Sequence, residues 1–396
     1  MAGIIALCIG YVFSQFFRAF LAVLSEVLKL ELGMSSTDLA YASGAWFLAF
    51  ALFQFPVGYL LDTRGPRITA GVIFLLFSGG GALAFASATG SSGVIIAMAL
   101  IGIGCSPALM APMYIFVRNY DAAKFATLVS VFVGIGTLGN IASSAPLAAA
   151  VEAFGWRETA YALAAVCMLV GASILVLVRD PEAIDHKDQT GGGFLDLIKL
   201  PVLWPIFPMI FMGYAVAAGL RGSWIGPFHI EVYGYDTLET GRAVLVMSIA
   251  LVLGTFFYGP LDRIFNSRKH VVLAGGVIVL GLCGFMAFQL PQSAFAATVI
   301  FAAIGFFGAS YTVQMAHGKS FVPPHLMGRG VTLLNFCSIG GAGILQWVSG
   351  PVVETFASAG DPQSVYRTLF AYYAITTLCA LLVYAFSKDA KPTPSL

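Results

Sequence analysis

The sequence predicts an all-α integral membrane protein, twelve transmembrane helices in two pseudo-symmetric six-helix halves, and three observations carry that prediction. Hydrophobic residues make up 59% of the 396 and charged residues only 10%, with a mean hydropathy of +0.89, outside the range of water-soluble domains. The apolar residues gather into runs long enough to cross a bilayer. The most polar interior stretch, Arg179 to Lys199, divides those runs six and six.

A hydrocarbon core needs about 20 helical residues to span it. Runs of that kind fall at 4–28, 39–61, 68–88, 93–117, 125–150, 158–178, 202–228, 241–261, 270–290, 294–316, 330–352 and 366–386. The first is too long, and too polar at Gln15 and Arg18, for a cleaved signal, and no small-residue cleavage site follows it. It is expected to remain as span one.

Orientation follows from the lysines and arginines of the short loops. With both termini cytoplasmic, fourteen of the twenty lie on the inner side and four on the outer, leaving Arg18 and Arg221 inside spans. The expected location is therefore a bacterial inner membrane, crossed many times. No basic tract resembles a nucleic-acid footprint, so the expected partners are the lipid bilayer and a small molecule, with the chain a monomer. The six cysteines lie in apolar spans without paired spacing, which reads as core packing. No cofactor and no metal site are expected.

The polar stretch holds Asp180, Glu182, Asp185, His186, Lys187, Asp188 and Gly191 to Gly193. It sets the expected organisation: an N-terminal half 1–178, a cytoplasmic linker 179–200, a C-terminal half 201–388 and a tail 389–396. The halves repeat weakly. Gly58-Tyr-Leu-Leu-Asp62-Thr-Arg64-Gly65-Pro-Arg67 after span two has a counterpart in Gly259-Pro-Leu-Asp262-Arg263 after span eight. At nearly the same offset Arg18 maps on Arg221 and Tyr11 on Tyr214, each tyrosine seven residues before its arginine, two turns away on one helical face.

Twelve spans, a central linker and the Gly58 to Arg67 sequence resemble the major facilitator superfamily, whose loop motif reads roughly G-x-L-x-D-R-x-G-R-K. This copy has Thr63 and Pro66 where the motif has other residues, and the second copy lacks the glycine after Arg263. The resemblance implies the major facilitator fold, alternating access, and a cytoplasmic gate latched through Asp62, with Arg118 as its partner. Arg64, Arg67, Asp262 and Arg263 complete the gating set.

Arg18 and Arg221 are the informative pair. A cation at a helix centre costs roughly 2.5–3.5 kcal/mol on insertion scales, and no Asp or Glu stands at comparable depth. The partner is therefore expected from outside, as an anionic substrate, because guanidinium forks hold carboxylate or phosphate bidentately. An arginine in span one and another in span seven, the latter followed by Trp224, Pro227 and Glu231, is similar to the organophosphate and organic-anion group of the superfamily. That likeness implies that Arg18 and Arg221 bind the anion. Tyr11 and Ser14 share the Arg18 face and Tyr214, Trp224 and Phe228 the Arg221 face, so all five are expected to line the cavity, with Tyr311 and Gln314 of span ten.

Coupling is open between protons and a counter-transported anion. Glu26, two turns outward from Arg18, and His317, which follows Gln314 on span ten, are the candidate coupling residues; a polar cap at the inner helix end is the other reading of His317. Gly134-Ile-Gly136-Thr-Leu-Gly139 matches a dinucleotide-binding pattern but lies inside a span, where packing of small residues explains it. No span presents a nucleophile, a base and an orienting group at workable spacing, so an enzyme is not expected. The expected function is secondary transport, import favoured, of a small organic anion: carboxylate, sulfonate or phosphate ester. The alternatives are a proton-driven exporter of amphipathic compounds, a soft-metal (copper) importer using Met110, Met113, Met209, Met212 and Met315 with Cys105 and His317, and a non-transporting membrane sensor or assembly factor.

Overall fold

A computed structural model describes residues 2–120, 122–181, 194–323, 326–358 and 360–391. The linker residues Glu182, Asp185, His186, Lys187, Asp188 and Gly191 to Gly193, and the tail beyond Lys391, lie outside them. Helices account for the regular structure of the described residues, with no strand among them. Eight stretches are long and apolar enough to cross a membrane, and two bent pairs raise that to ten. One of the eight, Ser36–Ala86, holds spans two and three, and span seven passes as short consecutive pieces between Phe207 and Tyr233. The expected twelve spans are all present.

The chain clusters into two compact units. The first comprises Met1–Asp185 with Gly222–Pro227 and Tyr235–Leu245; the second comprises His186–Arg221, Phe228–Gly234 and Val246–Leu396.

In the first unit, span one is two helices, Ala2–Phe16 and Phe20–Leu32, bent by 53° where they meet. Span two starts at a capping box, Ser35 Oγ accepting from the Asp38 amide at 3.1 Å and Asp38 returning a bond to the Ser35 amide at 2.9 Å. Helix then runs on to Ile73 without the gap expected between 61 and 68; the turn is a single residue, Gly65, at φ 78° and ψ 164°. A side chain there would be strained, and its Cβ would lie 2.6 Å from Asp180 Oδ1. Asp180 needs that space because it caps the start of span three, accepting from the Arg67 amide at 2.7 Å.

Glycines bring the spans together, as lipid-embedded packing favours. Gly102 of span four sits against the Trp46 carbonyl of span two, and a Cβ on Gly171 of span six would lie 2.7 Å from Leu75 Cα of span three. The glycine pattern of span five also packs: Gly136 meets the Tyr11 ring and Gly139 the Val12 carbonyl.

The second unit repeats the turn with different residues. Asn266 holds the left-handed conformation, φ 48°, which Asn tolerates better than other side chains. This accounts for the glycine missing from the second motif copy. Asp389 takes the place of Asp180, accepting from the Lys269 amide at 3.0 Å and from Ser267 Oγ at 2.6 Å.

Candidate substrate site

Both sequence-predicted arginines sit where helical geometry is interrupted. Arg18 occupies the turn between Phe16 and Phe20, and Arg221 lies in a single π-helical turn, Leu220–Trp224. Irregular backbone at membrane depth is tolerated only when buried in protein or lining a cavity, and π-turns recur at functional sites. Broken helices of this kind build substrate sites in transporters. Arg18 belongs to the first unit and Arg221 to the second.

In the first unit the Arg18 guanidinium carbon lies over two rings of span two, 5.4 Å from the Trp46 centroid and 5.3 Å from that of Phe50. Those rings stack on each other at 5.1 Å and 19°. Ser14 is buried nearby in sequence, and Tyr11 is held in place, its hydroxyl accepting from Gln15 Nε2 at 2.6 Å and its ring stacked on Phe132 at 5.5 Å. The heptad spacing between Tyr11 and Arg18 does not carry helical phase across the break, so sharing one continuous face fails as a reason for grouping them. Glu26 accepts from Thr237 Oγ1 at 2.7 Å.

In the second unit Arg221 is 0% exposed. Tyr214 and Tyr311 come together, ring centroids 4.9 Å apart. Gln314 is buried against Gly213, and neither its Oε1 nor its Nε2 has a hydrogen-bond partner among the described residues. Gln314 lines a small cavity with Met209, Met212, Ser310 and Thr377, with room for about one water. Phe228 is fully buried, as is Trp224, which belongs to the first unit. Phe228 is enclosed by Tyr233, Phe301 and Tyr366 at 5.6, 5.2 and 5.0 Å, so its ring serves packing of the unit rather than a cavity wall.

Of the gating set, Asp62 and Arg118 approach to 3.9 Å, with Arg118 over the Tyr114 ring at 3.8 Å. Asp262 pairs at 3.0 Å with Arg268, a residue the motif reading passed over for the adjacent Arg263. Arg64 and Arg263 are exposed; Arg67 donates to the Leu175 carbonyl at 2.6 Å. His317 has both nitrogens engaged: Nε2 donates to the Lys388 carbonyl at 2.9 Å, and Nδ1 pairs with the Tyr384 hydroxyl at 2.6 Å. That arrangement ties the chain after span twelve to the inner end of span ten. Among the described residues no three His, Cys, Asp or Glu gather as a metal site.

Sequence reasoning missed Trp46 and Phe50. Their signal was an i, i+4 aromatic pair, which is indistinguishable from ordinary core until the arginine that covers it is placed.

The family model described as Major Facilitator Superfamily matches residues 7–346; the chain belongs to this superfamily of membrane transporters. It is 25% identical over 285 residues to the probable L-galactonate transporter of Escherichia coli K12, covering 65% of this chain and 62% of that protein. It is 23% identical over 306 residues to the hexuronate transporter of the same organism, covering 69% of each. It is 22% identical over 308 residues to the probable sulfoacetate transporter SauU of Cupriavidus necator, covering 72% of this chain and 71% of that one. Among solved structures, a D-xylose-proton symporter superposes with a TM-score of 0.74 at 15% identity over 98% of both chains. The fold is thus that of the superfamily.

Proposed function

We propose that the protein is a secondary transporter of a small organic anion carrying a carboxylate or sulfonate, with Arg18 and Arg221 as the anion ligands. The observation that carries this reading is the placement of both arginines at helix interruptions, while Asp262 is the only buried acid among the described residues. A guanidinium inside a span marks a functional site whose partner is to be named, and broken helices carry such sites in transporters. Relatives named for galactonate, hexuronate and sulfoacetate support the same class. Tyr214, Tyr311 and Gln314 supply the neutral contacts to the rest of the solute. A bacterial inner membrane with both termini cytoplasmic agrees with the bias of lysine and arginine, and import is the direction of the reading. Asp62 with Arg118, and Asp262 with Arg268, each pair inside one unit, are the gating residues of the cytoplasmic side in this reading.

The test is thermal stabilisation of the purified full-length protein by L-galactonate, galacturonate, sulfoacetate, a phosphate ester and a lipophilic cation, followed by uptake of any hit into proteoliposomes. Stabilisation by a carboxylate or sulfonate, lost in both Arg18→Gln and Arg221→Gln, is the expected result. Stabilisation by the cation alone refutes the anion reading.

A further inference from the structure

We infer that Trp46 is a second anion ligand in the first unit, its indole N–H and the Arg18 guanidinium together receiving one carboxylate or sulfonate group. This rests on the anion reading of Arg18 and deepens it by naming the partner donor.

Trp46 is wholly buried, and its Nε1 has no hydrogen-bond partner among the described residues. A buried donor without an acceptor is costly, so such an atom beside an intramembrane cation marks a place for a ligand oxygen. The ring cannot turn to find another acceptor. Gly102 of span four lets its backbone pack directly on the Trp46 carbonyl, and the indole is stacked on Phe50 at 5.1 Å and set edge-on to Phe47 at 4.9 Å.

The geometry fits one small anion. The guanidinium carbon lies 5.4 Å from the indole centroid, and Nε1 is on the rim of that ring. Indole and guanidinium are both donors only. A ligand there must therefore bring acceptors and negative charge.

Trp156 provides the internal contrast. Its Nε1 is also without a partner among the described residues, and a guanidinium, that of Arg157, lies 4.2 Å from its ring. Arg157 begins span six, donating to the Ala86 and Ala88 carbonyls at 2.8 and 3.0 Å and standing 3.7 Å from Glu31. The Trp46 pair instead stands at the helix break of span one, where Arg18 lies between Phe16 and Phe20.

The experiment uses the full chain in lipid nanodiscs, with galacturonate and sulfoacetate as probes. Trp46→Phe keeps a ring for Arg18 and removes the N–H; Trp156→Phe is the control. Affinity for the better probe is expected to fall about tenfold in Trp46→Phe and to stay unchanged in Trp156→Phe. In the unsubstituted protein the indole N–H resonance absent from Trp46→Phe should move on saturation with the probe. Wild-type affinity in Trp46→Phe, with binding lost in Arg18→Gln, overturns the indole ligand and leaves the anion reading standing. Unchanged binding in Arg18→Gln defeats the anion reading itself. An unmoved Trp46 resonance at saturation overturns the inference even if Trp46→Phe misfolds or binds poorly.

Discussion

Replacing Arg18 by lysine separates charge from geometry at the site. Lysine keeps the cation, and with it an insertion cost similar to that of arginine. It loses the planar fork, so one of two charge-assisted hydrogen bonds to a bound anion disappears, a loss of about 1.5–3 kcal/mol. That range corresponds to about 10–150-fold in Kd. The contribution to folding is smaller. The guanidinium lies 5.4 and 5.3 Å from two ring centroids, and a compact ammonium covers one of them well, so the stability loss is one cation–π contact, about 0.5–2 kcal/mol. For a chain of this size that is a shift of a few degrees in Tm. The assay is a galacturonate or sulfoacetate titration in nanodiscs, run beside thermal unfolding without ligand. Affinity should fall at least about tenfold while Tm moves little. Lysine binding within about twofold of wild type, or a large Tm loss with affinity intact, would show that Arg18 is a packing element and refute the reasoning.

Three further outcomes are expected. Gly65→Ala should lower stability by about 1–3 kcal/mol, because a side chain is strained at φ 78° and meets Asp180, whereas Asn266→Gly at φ 48° should be neutral or stabilising by up to about 1 kcal/mol; paired thermal unfolding in one detergent checks both. Gln314→Leu should raise apo stability by about 1–3 kcal/mol, since the amide it removes is buried without partners, and should weaken anion binding at the same time; a fall in apo stability would show that the amide is satisfied. Burial tends to raise the pKa of Asp389, but bonds from Ser267 Oγ and the Lys269 amide, with His317 and His270 nearby, outweigh it and hold the carboxyl below its usual value. A depressed folded-state pKa stabilises above the unfolded value and is lost as pH falls through the folded one. The tail should therefore resist limited proteolysis around Lys388 and Lys391 at neutral pH, loosen only in acid below the ordinary aspartate range, and be loose at all pH in Asp389→Asn. Equal protection in that variant would refute the capping role.

The two candidate arginines were legible in the sequence because intramembrane charge is rare. Arg18 and Arg221 stand out by cost alone, and their internal repeat strengthens them. Phase was the weak point. Grouping Tyr11 with Arg18, or Tyr214 with Trp224 and Phe228, assumed unbroken helices, whereas a turn separates the first pair and a π-turn interrupts the second set. A break that depends on neighbouring helices to satisfy its backbone leaves no periodicity of its own. The caps show the same limit: Asp180 and Asp389 lie 113 and 120 residues from the amides they accept from, too far for local spacing to reveal.

Hydropathy, the lysine and arginine bias and the repeat of loop motif and arginines determined the membrane class, the number of spans and the two arginines proposed as ligands. These are properties summed along the chain, each residue contributing its own transfer free energy whatever its neighbours. The tertiary structure alone decided that Arg18 rests on Trp46 and Phe50, that Arg268 rather than Arg263 answers Asp262, and that Gln314 is buried without a hydrogen-bond partner among the described residues. Those are contacts between spans, set by where glycines permit close approach, and only the packed helices determine which side chains meet.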